Sequence, residues 1–422
     1  MTTPREYLYR LNSSAIRLGL APVKSLLESL QNPQDAYAAV LIAGTNGKGS
    51  IAATAASILR EAGYRVGLYT SPHLVDLRER IRINGEMITE DELDDLIEEV
   101  RRQVRVDVTY FEFLTAVAFL YFCRMRVDIA VLEVGMGGRL DATNVVQPVA
   151  SVISNISLEH REYLGNRLAD IAREKGGTIR EGGVCITAAK QKVVLNVLEE
   201  ICRERRARLY RLGKHIRVRL HKDGTFSYRG IGKNYQRLTC SLLGGHQVEN
   251  TALALAAIEI LAGSGFPVDD QALYRGMQKT RWEGRLEILQ SAPQLLLDGG
   301  HNQAGISVLC RALKEHFSYK RLILVFGVLG DKNFPLMLKK IAPLADRIIL
   351  TRPETERAVS PGDLVSIAKR YNKSVEIVVP AGQALQRALT LAAKDDLICV
   401  TGSLYLIGEI KKAFSEMAKT QN

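Results

Sequence analysis

Residues 44–50 read GTNGKGS: Gly44, Thr45, Asn46, Gly47, Lys48, Gly49 and Ser50, set between the apolar run AAVLIAG and the alanine-rich stretch SIAATAASILREAG. Strand, glycine-rich turn and helix in that order is the context a phosphate-binding loop needs. Glycines let backbone N–H groups approach phosphate oxygens, and the start of a helix adds roughly half a positive charge. Lys48 would reach the β- and γ-phosphates. Nucleotide binding is favoured over a plain tight turn. One feature departs from the common form: Gly49 stands between the lysine and Ser50, where Ser or Thr ordinarily follows directly.

Other residues sit at chemically useful places. Glu133 ends the apolar run VDIAVLEVG, where a carboxylate can hold Mg²⁺ against a bound triphosphate. Pairing with an arginine is the alternative, and the phosphate loop favours the metal. His160, in SLEHREYLG, follows another strand and is either a ligand or a solvated loop side chain. Lys175, in AREKGGTIR, reads from its neighbours as an ordinary helix end. Asp298 and His301 cap the strand QLLLDGG; Asp298 either accepts from a ribose or forms a turn. Asn250, in the first turn of the helix opening at GGHQVEN, either caps it or faces a ligand.

The elements that carry these residues follow one pattern. RVGLYTS, VDIAVLEVG, VASVISNIS and GVCITAA are near-continuously apolar and alternate with helical stretches, the mark of a parallel sheet covered on both faces. RVRLHKDGTFSYRG interrupts them as a hairpin turning at Asp223-Gly224. After TRWEGRLEIL a second series begins with QLLLDGG, followed by RLILVFG, DRIILTR, VEIVVP and DLICVTG. The fold class expected is α/β, a phosphate-loop ATPase domain over residues 1–285 followed by a Rossmann-like domain over 286–422. Polar residues gather at the carboxyl ends of both sheets, so a cleft between the domains and an ATP-dependent enzyme with two or three substrates are expected.

Composition narrows the class. The chain has 422 residues, 46% hydrophobic and 24% charged, ordinary for a globular protein. Its six cysteines form no C-x-x-C pair, which argues against a zinc site or a disulfide framework and for a reducing cytoplasm. The amino terminus lacks an apolar signal core. Phe113–Cys123 is too short to span a bilayer and reads as a buried helix. A net charge of +11 admits nucleic acid, membrane surface or acidic small molecules. The basic stretch from Cys202 to Lys222 is interrupted by glutamate and apolar residues and reads as a solvated face.

Six ordered blocks, GTNGKGS, SPHLVDLRERIRING, YFEFLTAVAF, LEVGMGGRLDATN, DGGHN and TGSLYLIGE, closely resemble the folylpolyglutamate synthase/dihydrofolate synthase family of the Mur ligase superfamily. The resemblance runs over nearly the whole chain, and Gly49 is that superfamily's form of the loop. It implies an ATPase-like domain followed by a Rossmann-like one, and an ATP-dependent amide ligation in which a pterin-linked carboxylate forms an acyl phosphate that glutamate then displaces. Carried over by position, Thr45 to Ser50 with Asn250, Arg285 and Asp298 would bind ATP. Ser71 and Glu133 would ligate one Mg²⁺ and His160 would help hold a second, beside Lys175, which the family carbamylates. His301 and Ser403 would meet the incoming L-glutamate. Pterin contacts would come from Arg17, Leu18, Gly19 and Leu20, from Tyr110, Phe111, Glu112 and Phe113, and from Leu140, Asp141 and Ala142; the alternative is that these segments merely pack the domain.

The "LDATN" and early "LGL" segments favour both activities, on dihydropteroate and on tetrahydrofolate, over polyglutamylation alone. The resemblance also implies a cytoplasmic monomer without nucleic acid or membrane partners. A muramyl ligase would need a further domain before the loop, where 43 residues stand. A small-molecule kinase would need no second domain with DGGHN, and a non-catalytic ATP module would be expected to lack Glu133 or His160. Three departures stand out: Glu159 where the family has Asp, Gly176 where it commonly has Ala, and Glu283 where it has Pro. The first two bear on the second metal position.

Overall fold

The computed structural model describes residues 3–11 and 17–420, in two compact units. The first comprises Met1–His73, Arg78–Ser241 and Gln247–Arg281; the second comprises Leu74–Leu77, Leu242–His246 and Trp282–Asn422.

The first unit is organised by eight strands: β1 (Ala38–Ala43), β2 (Val66–Tyr69), β3 (Ile81–Ile83), β4 (Glu86–Met87), β5 (Ile129–Glu133), β6 (Ala150–Ile153), β7 (Val184–Thr187) and β8 (Arg208–Arg211). Their order is β4-β3-β2-β5-β1-β6-β7-β8. From β2 to β8 the neighbours run parallel; β3 and β4 are added antiparallel at one edge. The turn between β3 and β4 is Asn84-Gly85 with φ of 51° and 90°, the left-handed pair that a two-residue hairpin requires. The central strands β5, β1 and β6 are buried on both faces, which is why AAVLIA and IAVLE show no polar alternation before Glu133.

Helix Lys48–Glu61 leaves the end of β1 and is buried along most of its length. Its neighbour, helix Asp270–Lys279, approaches closely: a Cβ on Gly276 would lie 2.4 Å from the Ile58 Cα. Helix Tyr110–Arg124 starts in a capping box in which Thr109 and Glu112 each satisfy the other's backbone N–H, and it is almost wholly buried. No helix is long and apolar enough to cross a membrane among the described residues. The expected Asp223-Gly224 hairpin joins β9 (Arg217–Leu220) to β10 (Phe226–Arg229), and β11 (Asn234–Leu238) completes a separate antiparallel sheet.

The second unit holds β12 (Glu287–Ser291), β13 (Gln294–Asp298), β14 (Leu322–Phe326), β15 (Arg347–Leu350), β16 (Val375–Ile377) and β17 (Leu397–Thr401), ordered β12-β13-β17-β14-β15-β16. All pairs are parallel except the β12–β13 hairpin. QLLLDGG is therefore not the first strand of this unit; RLEIL, whose exposure alternates little, forms an edge strand before it. Side chains alternate across this sheet. Leu296, Leu324, Phe326, Ile348 and Cys399 build one core, and Leu295, Leu297, Val325, Ile349 and Val400 build the other.

Candidate active site

The loop after β1 is held by the strand beside it. Thr45 N donates to the Asn155 carbonyl at 2.8 Å, Asn46 N to Asn155 Oδ1 at 3.2 Å, and Ser157 N to Thr45 Oγ1 at 3.1 Å. Ser154 Oγ and Asn155 Nδ2 both donate to the Asn46 carbonyl, at 2.7 and 3.0 Å. This closeness accounts for two glycines. A Cβ on Gly44 would lie 1.9 Å from Ser154 Oγ, and one on Gly47, whose φ is +87°, would lie 2.4 Å from Asn250 Oδ1. The loop's backbone is thus fixed before any ligand arrives. Lys48 opens the helix and its Nζ donates to the Thr45 carbonyl at 3.4 Å; Gly49 and Ser50 are buried in the first helical turn.

Asn250 lies beside this loop, in the second turn of helix Gly245–Ala262 rather than its first. It donates to Gln247 Oε1 at 2.9 Å within the same helix and does not cap it, and its Oδ1 lies next to Gly47.

Parallel pairing sets Glu133 against Ile42, two residues before Gly44. The carboxylate is 5% exposed and accepts from Ser71 N at 3.1 Å, which joins two of the residues singled out for a metal. His160 adopts a left-handed φ of 46° at the start of the short helix Arg161–Leu164.

Lys175 is not an ordinary helix end. Its side chain is 2% exposed, and Nζ donates to the Gly44 carbonyl at 2.9 Å and to Glu159 Oε1 at 3.0 Å. Burial would push the Glu159 carboxyl up, but Lys175, Lys48 and His160 face it and hold it down at about 2. At Lys175 the balance runs the other way: burial lowers it more than Glu159 raises it, and Lys48 lowers it further. The carboxylate is the chief beneficiary of the pair.

Residues matched to pterin contacts fall into two sets. Phe111 lies on the loop after β5, where a Cβ on Gly135 would come within 2.7 Å of its ring, and it tilts against Tyr69 at 6.0 Å. Tyr110 lies under the Arg80 guanidinium at 5.6 Å. Asp141 accepts from Met136 N at 2.9 Å and from Thr143 Oγ1 at 2.6 Å; its burial raises it, opposed by these hydrogen bonds. Leu140 and Ala142 flank it in the same loop. Phe113, by contrast, is fully buried and packs edge-on against Tyr7 at 5.5 Å, as part of the core. Glu112 gives Oε2 to its capping box, while its buried Oε1 has no hydrogen-bond partner among the described residues. The Arg17–Leu20 segment precedes helix Ala21–Ser29, with Arg17 Nη1 donating to the Asp107 carbonyl at 3.0 Å, Leu18 exposed, and Gly19 in open space.

In the second unit Asp298 forms the turn: its Oδ1 accepts from Gly300 N at 3.0 Å and its Oδ2 from Leu286 N at 3.1 Å. Burial raises its carboxyl and Arg285 opposes that shift. His301 Nδ1 is 2.9 Å from the Gly299 carbonyl. Ser403 is 1% exposed, and its Oγ accepts from Tyr405 N at 3.1 Å, at the start of helix Leu404–Thr420. Its hydroxyl oxygen thus takes part in the first turn of that helix.

Sequence reasoning passed over Ser154, Asn155 and Ser157. Their signal was the change from apolar to polar at the end of VASVI. It also passed over Tyr69 and Arg80, although the SPHL block contains Arg80.

The donors around the loop fit a hard divalent ion carried in with a nucleotide. One carboxylate (Glu133) and the hydroxyls of Ser50 and Ser71 are oxygen donors, and no group of three or more His, Cys, Asp or Glu side chains forms a metal cage among the described residues. Mg²⁺ is typically held in this way, through one or two carboxylates plus substrate phosphates.

The chain is similar to known proteins along nearly its whole length. The Mur ligase middle domain matches residues 42–258, and the Mur ligase glutamate ligase domain matches residues 284–404. The chain is 34% identical to the dihydrofolate synthase/folylpolyglutamate synthase of Bacillus subtilis over 97% of each chain. It superposes on Escherichia coli FolC in complex with DHPP and ADP with a TM-score of 0.91 and 28% identity, covering 99% of this chain and 98% of that one. A bifunctional folylpolyglutamate synthase/dihydrofolate synthase with Mn, AMPPNP and L-glutamate bound gives a TM-score of 0.89 at 29% identity, covering 98% of each.

Proposed function

The chain belongs to the dihydrofolate synthase/folylpolyglutamate synthase family of the Mur ligases, and from that premise we propose that it joins L-glutamate to dihydropteroate and to tetrahydrofolate with ATP, through an acyl phosphate. The observation that carries this reading is the convergence of Lys48, Lys175 and Glu159 on the loop after β1, with Glu133 and Ser71 beside it.

The loop N–H groups and the helix N-terminus receive the β- and γ-phosphates, and Lys48 swings from the Thr45 carbonyl to the γ-phosphate. The acceptor carboxylate attacks that phosphorus, ADP leaves, and the glutamate amine then displaces phosphate from the acyl carbon. Two Mg²⁺ ions, held by Ser50, Ser71 and Glu133 and by His160, would supply charge neutralisation on the phosphates when bound. Lys175 works beside them; carbamylation there would replace a cation with an anion facing Glu159, a sign change that a bound ion would have to bridge. Phe111 and the 135–142 loop orient the pterin. Arg285, Asp298 and His301 are assigned to the Rossmann-like part of the chain that begins near Arg285, the first two to ATP and His301 to glutamate.

The test offers the purified protein ATP, Mg²⁺ and glutamate, with dihydropteroate in one reaction and tetrahydrofolate in another, and reads products by mass spectrometry. One glutamate added in both reactions is the expected result. Addition to tetrahydrofolate alone reduces the activity to polyglutamylation, and turnover in neither overturns the reading.

A further inference from the structure

The loop that holds Asp141 and the helix that holds Lys175 are tied together by side chains that no part of the chemistry above uses. Asn144, 6% exposed, donates from Nδ2 to the Arg139 carbonyl at 3.1 Å and to the Gly177 carbonyl at 3.3 Å. Arg180 Nη2 closes the knot from the other side. It donates to the Asn144 carbonyl at 2.7 Å, to Asn144 Oδ1 at 2.9 Å and to the Val146 carbonyl at 2.8 Å, while Nη1 reaches the Gly177 carbonyl at 3.4 Å. Arg205 binds the Ile179 carbonyl and approaches the Gly177 carbonyl at 3.4 Å.

The backbone is equally close here. Arg139 N donates to the Glu174 carbonyl at 2.7 Å, and a Cβ on Gly177 would lie 2.3 Å from the Arg139 Cβ. The Glu174 and Gly177 carbonyls, at and just past the end of helix Leu168–Gly176, are thereby drawn toward amide and cationic donors, a favourable arrangement at the negative end of a helix. Lys175 sits in that last turn, and its aim at Gly44 and Glu159 depends on the turn's position.

We infer that Asn144 and Arg180 are positioning residues that couple the acceptor-binding loop 135–142 to Lys175, so that one latch sets both the pterin carboxylate and the lysine beside the phosphates. The inference rests on the functional reading above for the identity of the acceptor. The latch reaches the loop after β1 only through Lys175, whose Nζ donates to the Gly44 carbonyl, while Ser154 and Asn155 hold that loop independently of it.

The experiment compares Asn144→Ala, Arg180→Met and Arg180→Lys with the wild-type protein, in steady-state kinetics and in hydrogen exchange of the 138–146 and 174–180 amides. A misplacement on the order of 1 Å costs up to about 100-fold in rate, so Asn144→Ala and Arg180→Met are expected to lose about 10- to 100-fold in kcat/KM for the acceptor. KM for ATP changes less than kcat/KM for the acceptor, because Ser154 and Asn155 still hold the nucleotide loop, and exchange rises in both segments together. Arg180→Lys, which keeps the charge but loses the three-way contact, falls between. The double variant should be no worse than the poorer single one, since both act on one unit. Faster exchange with unchanged acceptor kinetics would make the contacts merely structural and overturn the inference, as would a loss confined to ATP binding. Should Asn144→Ala fail to fold, Arg180→Lys carries the same comparison. If the wild-type protein turns over neither acceptor, the functional reading fails, while exchange confined to one of the two segments refutes the coupling independently.

Discussion

Replacing Lys175 by methionine removes a buried cation while nearly keeping its volume. It leaves the Gly44 carbonyl without its 2.9 Å donor and Glu159 without its 3.0 Å partner. Glu159 is held at about 2 against an ordinary 4.5, a difference worth on the order of 3 kcal/mol. Lys48 and His160 supply part of that, and Lys175 itself loses by being buried, so the share removed by Lys175→Met is smaller, about 2 kcal/mol. The sign follows from the depressed carboxyl: its contribution is complete above about 4.5 and is lost as pH falls toward about 2. Urea unfolding at neutral pH, without ligands, measures the effect. Lys175→Met should lose about 2 kcal/mol, and Lys175→Met combined with Glu159→Gln should regain more than half of it, because removing both charges avoids stranding one. A Lys175→Met protein as stable as wild type, or a double variant no better than the single, would refute the argument that the pair is a buried, mutually dependent contact.

Other expectations follow from the same geometry. Lys48→Ala and Glu133→Ala should each abolish turnover while leaving the thermal melt unchanged; near-wild-type activity in either one would remove it from the site. Gly44→Ala places a Cβ 1.9 Å from Ser154 Oγ, so it should weaken nucleotide binding by at least tenfold in calorimetry, and Ser154→Gly should restore part of the loss. Glu409 has its carboxyl raised to about 7 by burial, so the folded protein loses stability as pH rises from about 4.5 through 7. Since the group is about half exposed, Glu409→Gln should stabilise the protein at pH 8 by no more than about 1 kcal/mol, with no gain at pH 4; an equal effect at both would contradict this.

The parts of the fold readable from the chain were those written in local pattern. β1, β5, β6 and the central strands β13, β17, β14 and β15 of the second unit are mostly apolar runs because both of their faces are covered, and the loop after β1 announces itself through its glycines. Edge elements were less legible. β12 and β8 carry partly exposed RLEIL-type and RLYR segments whose pattern resembles that of a solvated loop. Lys175 shows where local reading stops. Its neighbours describe a helix end, while its buried ammonium is held by Gly44, 131 residues away in sequence, and by Glu159. The complete burial of Phe113 and the Tyr405 N–H taken up by the Ser403 hydroxyl were likewise not legible in the motif, because both are decided by packing.

The most direct measurement of the central claim follows an oxygen atom. The acceptor, with its reacting carboxylate labelled with ¹⁸O, is incubated with ATP, Mg²⁺, glutamate and the enzyme, and the released phosphate is analysed by mass spectrometry. Transfer of one labelled oxygen to each phosphate, dependent on Lys48, is the predicted result, because the carboxylate oxygen that attacks the γ-phosphorus departs with it when the amine displaces phosphate. Amide product accompanied by unlabelled phosphate would contradict the account.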